Sequence, residues 1–298
     1  MNYNTLGKSS LEVSEVSFGC MSLGDDHREN ILLLQKALDQ GINYFDTADI
    51  YQKGENEVSL GKAFKEKREQ VIIATKVGNQ PRPDGHGWDW NPSRDYILKS
   101  VEESLERLQT DYIDLYQLHG GTLEDPIDET IEAFERLIEQ GKIRYYGISS
   151  IRPNVIREYA EHSNIVSVMM QYSLLDRRPE ETCLPLLEQK QISVVTRGSL
   201  AKGLLVDKEP APYLHHTSSD VQKAAEAVQA LTDEKRGAAQ IALKFVLQHP
   251  AVASAVVGIR TLEQLEDALK VTQSEGLSQQ ELQQLQEAIK PSLYELYR

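Results

Sequence analysis

Cysteine is nearly absent from this 298-residue chain. Cys20 and Cys183 are the only two, they form no CxxC pair, and neither a disulfide framework nor a zinc site can be built on them. Basic residues are outnumbered: 32 Lys and Arg stand against 46 Asp and Glu, and the net charge of -14 argues against non-specific binding to nucleic acid or to anionic membrane. An anionic ligand must therefore find a local basic pocket. Long apolar runs are missing too. No stretch approaches the roughly 18 apolar residues of a membrane span, and the opening MNYNTLGKSSLEVS lacks the apolar core of a signal peptide. The expectation is a soluble cytoplasmic protein, a monomer or small homo-oligomer, with no nucleic acid and no membrane among its partners.

What the chain does have is a globular balance, 40% hydrophobic and 26% charged, arranged in a repeat. After a hairpin-like alternation at 2–14, around Gly7 and Lys8, short apolar runs recur at 15–20, 43–47, 71–76, 112–119, 143–149, 165–170, 192–196 and 254–257. Between them lie helical patterns, such as Ile31, Leu34 and Leu38 at spacings of three and four. Eight strand-helix alternations predict one α/β domain over residues 1–298, a (β/α)8 TIM barrel with an N-terminal β-hairpin as its floor and an extra C-terminal helix opened by Ser278 and Glu281. Such barrels run to about 250 residues. Two segments read as long loops: 78–92, with three prolines, three glycines, Trp88 and Trp90, and 203–219.

The second, third and fourth strands end in DTADIY, IIATK and YQLHG. These place Asp46, Tyr51, Lys76 and His119 at the carboxyl ends of neighbouring strands, where such barrels keep their chemistry. Singly, each has an ordinary reading as a turn residue, a packed aromatic, a strand end or a structural imidazole. Together they make an acid-base set. A tyrosine that donates a proton near neutrality is helped by an adjacent ammonium, which favours the phenolate and lowers a reference pKa of about 10. Asp46 would hold Lys76 charged, and His119 would hydrogen-bond the phenol or a carbonyl oxygen. The set polarises a carbonyl and brings no electron source, so a hydride donor has to be bound as cofactor. In VVGIRTLEQL, Gly258, Arg260 and the pair Thr261/Gln264 form either a capped helix start with a solvated arginine or an anion site suited to a ribose phosphate.

The segments LGKSSLEVSEVSFG, DTADIY, IIATK, YQLHG, IRYYGISS, MMQYS and VVGIRTLEQL, in this order and spacing, resemble the aldo-keto reductase family over essentially the whole chain. The resemblance implies nicotinamide-dependent reduction of aldehydes or ketones without a metal, with Tyr51 as proton donor and Asp46, Lys76 and His119 completing a tetrad. It also implies that Ser149 and Gln171 meet the nicotinamide carboxamide. The stretch Arg197, Gly198, Ser199, Leu200, Lys202 covers the ring and pyrophosphate, and Arg260 with Gln264 takes the adenosine end, where a 2′-phosphate means NADPH/NADP+. Three departures stand out: Ser150 where Asn is common, Asp267 and Ala268 near the adenine where an Asn is common, and Arg197 where many relatives carry an aromatic ring. Arg197 is expected to lie against the nicotinamide or reach the pyrophosphate, or else to pair with a loop carboxylate. Trp88, Trp90, His86, Ile50 and Cys20 are candidates to line the substrate pocket, or simply to pack the loop on the rim. Two other readings remain: an NADPH-binding sensing subunit with little turnover, and a Schiff-base aldolase with Lys76 as nucleophile.

Overall fold

Eight runs rich in β-branched and aromatic residues pair in parallel and close on themselves in the computed structural model, which describes residues 1–298. In chain order the strands are β1 (Tyr3–Thr5), β2 (Glu12–Ser14), β3 (Val16–Gly19), β4 (Tyr44–Asp46), β5 (Ile72–Val77), β6 (Asn79–Pro81), β7 (Trp88–Trp90), β8 (Ile113–Leu118), β9 (Ile143–Ser149), β10 (Ser167–Gln171), β11 (Ser193–Arg197) and β12 (Val252–Gly258). All but the hairpin β1/β2 and the ribbon β6/β7 belong to the barrel, which β12 closes by pairing with β3. The helices are α1 (His27–Asp39), α2 (Glu55–Phe64), α3 (Arg94–Leu108), α4 (Ile127–Glu139), α5 (Pro153–His162), α6 (Cys183–Gln189), α7 (Ser218–Gln229), α8 (Ala238–Leu247), α9 (Leu262–Leu269) and α10 (Gln279–Ala288). This is the expected (β/α)8 architecture, with the hairpin before it and α10 after it. Ser278 and Glu281 form the reciprocal cap at the start of α10.

Side chains alternate across a strand, so every second residue of a barrel strand points inward. At the amino ends most of these inward residues are apolar, with Ser17 and Ser193 as small polar exceptions. Tyr44, Ile72, Ala74, Leu115, Met169 and Val195 form a buried cluster with Leu6, Leu11 and Val13 of the hairpin, which thereby plugs the floor. The plug sits close: Gly7 has φ +56°, and a Cβ there would lie 2.2 Å from the Val166 carbonyl oxygen. Only glycine fits. Two residues further along the same inward rows come Asp46 after Tyr44, Lys76 after Ala74, Gln117 after Leu115, Gln171 after Met169 and Arg197 after Val195. The interior changes from mainly apolar to charged and amide side chains within one layer, and that layer is the mouth.

The expectation of an irregular loop at 78–92 is corrected. Asn79–Pro81 and Trp88–Trp90 pair antiparallel, with Asn79 opposite Trp90 and Pro81 opposite Trp88. The prolines and glycines that break regular structure locally serve here as the turn: Gly85 and Gly87 take φ +75° and +81°, and Pro81 ends an edge strand, where a missing N–H is tolerated. The ribbon brings Trp90 down over Gly78 and Gly120, where added Cβ atoms would lie 2.6 and 3.2 Å from the indole. Its ring nitrogen donates to Asp125 Oδ1 at 2.9 Å.

Candidate active site

Lys76 ends its inward row fully buried and donates to Asp46 Oδ1 at 2.6 Å and to the Thr47 carbonyl oxygen at 2.6 Å. Gln117 donates to the other Asp46 oxygen at 3.4 Å. Burial works against the Lys76 ammonium, but Asp46 and then Tyr51 outweigh it, and its pKa lies above the ordinary lysine value. Lys76 stays charged.

Tyr51 follows the strand by five residues, because 47–50 turn the chain back over the mouth before α2 begins. Gln52 and Lys53 take φ of +50° and +56° and Gly54 +94°, a left-handed run that reverses the chain. The Lys76 Nζ lies 5.1 Å from the Tyr51 ring centre, and the His119 ring meets it edge-on with centres 6.0 Å apart. One expectation is corrected here. Burial raises the Tyr51 phenol above its usual value, and Lys76 opposes this without overcoming it. The sequence shows the cation but not the desolvation. Burial, helped by Lys76 and Arg197, pushes His119 down to about 3, so the imidazole is neutral across the physiological range. Its Nδ1 is buried without a partner. The four groups thus form a protonated phenol, a fixed ammonium, its counter-ion and a neutral imidazole with no ring nitrogen hydrogen-bonded within the protein.

Tyr51, Lys76 and His119 open into a cavity of about 630 Å³, whose walls also include Trp88, Trp90 and Arg197. Ile50 also lines it. Two of the expected pocket residues do not: Cys20 is fully buried beneath, and His86 lies exposed in the ribbon turn.

The Aldo/keto reductase family model matches residues 15–290. The chain belongs to the aldo-keto reductase family. Across its full length it is 48% identical to an uncharacterized oxidoreductase, YqkF, of Bacillus subtilis, itself covered in full. It is also 34% identical, over 67% of this chain and 62% of that one, to the aldo-keto reductase yakc [NADP(+)] of Schizosaccharomyces pombe. Among solved structures it is similar to the holo form of aldo-keto reductase AKR11C1 from Bacillus halodurans, with a TM-score of 0.95 and 48% identity, covering 100% of this chain and 99% of that one.

In this aldo-keto reductase the residues expected at a cofactor form two groups. The first rims the tetrad. Ser149 and Arg197 line the same cavity, and Gln171 sits opposite Arg197 in the β10/β11 register. Arg197 forms no ion pair, so the loop-carboxylate alternative is not what the chain adopts; its NH1 donates to Gln171 Oε1 at 3.2 Å. Gly198 turns away from the strand at φ +69°, and Lys202 takes φ +61°. Ser199 is buried with its hydroxyl 3.0 Å from that of Thr196, and Leu200 packs against the core. The second group is Gly258, Arg260 and Gln264 at the start of α9. A Cβ on Gly258 would meet Ser22 Oγ at 2.5 Å. Thr261 caps the helix by accepting from the Gln264 amide at 3.2 Å, but Gln264 reaches back to the Arg260 amide at 2.8 Å, one residue before the capping-box position. The Arg260 guanidinium is exposed and anchored only through Nε to the Ser22 carbonyl oxygen, leaving its outer nitrogens free for an anion.

Sequence reasoning passed over Gln117, although its place two residues before His119 on the inward row marks it. It also passed over Asp49, just before the tyrosine. Burial, reinforced by Glu57, pushes the Asp49 carboxyl up to about 8, with Arg107 holding it back. A carboxyl raised in the fold holds a proton that the unfolded chain releases, so it withdraws stability as pH climbs from about 4 to about 8. Asp49→Asn removes that loss. Its urea midpoint should equal wild type near pH 4 and exceed it increasingly up to pH 8; parallel curves would show that Asp49 does not titrate in this range.

Proposed function

We propose that this protein reduces aldehydes, and less readily ketones, to alcohols with NADPH, in a cytosolic setting that suits its two buried free cysteines. The observation that carries the reading is the convergence of Tyr51, His119 and the Lys76–Asp46 pair on one cavity that also presents Ser149 and Arg197. The chain's own groups fit a nicotinamide cofactor: an uncommitted imidazole nitrogen and an amide oxygen at the mouth, and at the α9 start a free guanidinium beside helix amides. The bidentate affinity of arginine for phosphate, and the bracketed NADP(+) in the name of the yeast relative, support the phosphorylated form.

When bound, the cofactor supplies the hydride. The rest is done by side chains. Tyr51, kept protonated by burial, donates its proton to the carbonyl oxygen, and Lys76 stabilises the phenolate that this leaves. Asp46 keeps Lys76 charged and in place. His119, neutral, donates a hydrogen bond to the same oxygen and orients it without competing as an acid. The same ion pair disfavours a Schiff-base role, because a protonated lysine is no nucleophile. The test is loss of NADPH absorbance with a panel of aldehydes and ketones, with NADH alongside. Turnover with aldehydes and NADPH is expected, and a protein that bound NADPH but turned nothing over would overturn the reductase reading.

Arg197 gives this reading a second consequence. A fixed cation near the nicotinamide disfavours the cationic oxidised ring relative to the neutral reduced one. Arg197→Tyr should therefore tighten NADP+ by several-fold more than NADPH. Equal changes in the two dissociation constants would place the guanidinium away from the ring.

A further inference from the structure

Both ends of the Gln171 amide are engaged. Its nitrogen donates to Asp176 Oδ2 at 2.9 Å and to the Tyr213 phenol oxygen at 3.0 Å, and its oxygen accepts from Arg197 NH1. Chemistry forces this orientation, since a carboxylate only accepts and a guanidinium only donates. Asp176 is fully buried and held in turn by Arg178, which donates through Nε at 2.7 Å and through NH2 at 2.8 Å. Tyr213 belongs to the segment between β11 and α7, and its backbone pairs with that of His216. Burial keeps its phenol above the ordinary range, so the hydroxyl is intact and able to accept.

An amide nitrogen has two hydrogens, and here both have acceptors. The oxygen has two lone pairs, and Arg197 takes one. Gln171 can therefore offer a ligand one thing only, a hydrogen-bond acceptor. We propose that Asp176 and Tyr213 are positioning residues that lock the Gln171 amide with its oxygen toward the cofactor, so that the site selects a nicotinamide carboxamide by its NH2 group. This rests on the reading above that Gln171 meets the nicotinamide. The carboxamide oxygen must find its donor elsewhere, and the Ser149 hydroxyl, which lines the cavity, can supply it. Because Tyr213 is one of the two acceptors, the seating of the segment between β11 and α7 is coupled to the direction in which the amide points.

The test compares dissociation constants for NADPH and for its reduced 3-acetylpyridine analogue, in which a methyl group replaces the amide NH2. Wild type should prefer NADPH by about tenfold, the share of one hydrogen bond. Asp176→Asn can donate to a rotated Gln171, which weakens the lock to what Arg197 and Tyr213 supply, and its preference should fall well below that of wild type. Tyr213→Phe keeps the Asp176–Arg178 pair and loses a single acceptor; its preference should fall to about threefold, and it decides the matter if Asp176→Asn does not fold. Weaker binding of both ligands by the same factor, with the preference unchanged, would reduce the two residues to a structural role and overturn the proposal, as would a wild type that does not discriminate. Failure of wild type to bind either ligand would instead overturn the cofactor reading itself.

Discussion

Tyr51→Phe should lose about 10²- to 10⁴-fold in kcat, the range for removal of a positioned general acid, while NADPH affinity and thermal stability stay close to wild type. The phenylalanine keeps the ring that faces Lys76 and His119. Only the proton is gone. The loss should be nearly independent of pH through the neutral range, because burial keeps the wild-type phenol protonated and His119 neutral there. The measurement is single-turnover oxidation of NADPH with a good aldehyde, alongside cofactor titration and a melting curve. If activity survived, Tyr51 would not be the acid, and the mouth would have to be searched for another donor.

Lys76→Met has the larger structural effect. The ammonium and the Asp46 carboxylate are 1% and 6% exposed and 2.6 Å apart. Truncating one partner of a buried pair strands the other charge, which typically costs about 3–5 kcal/mol. Activity should vanish as well, since the phenolate loses its stabilising cation. The double variant Asp46→Asn/Lys76→Met separates these effects. It removes the stranded charge and should recover much of the stability, measured by urea unfolding, while activity stays lost. A double variant no more stable than Lys76→Met would mean that Asp46 is accommodated without its partner, through Gln117 or by protonation.

The strands and the tetrad were legible because both follow the period of two. Each apolar run exposes its inward row, and three of the four groups continue that row or follow at its end: Asp46 after Tyr44, Lys76 after Ala74, His119 after Gln117. Only Tyr51 lies off it, five residues past Asp46; the residues alone place it in the acid-base set, and the resemblance adds the role of proton donor by matching position. What stayed hidden is what contact at a distance decides. The β6/β7 ribbon hides behind residues that break structure locally and pair only when the two arms meet. Tyr213 lies 42 residues from its partner Gln171, in a stretch without periodicity. The phenol's pKa turned on burial, which no neighbouring residue in the chain announces.

The hairpin at the floor makes the barrel a cup rather than a tube. Beneath Lys76 and Asp46 lies a layer closed by Leu6, Leu11 and Val13. In the proposed reaction, the proton that Tyr51 gives up is replaced most directly through the mouth, where Tyr51 lines the cavity that the ligands themselves would occupy. Departure of the alcohol would clear that route for recharging of the acid. The first residues of the chain, far from the chemistry, thereby close the far end of the site.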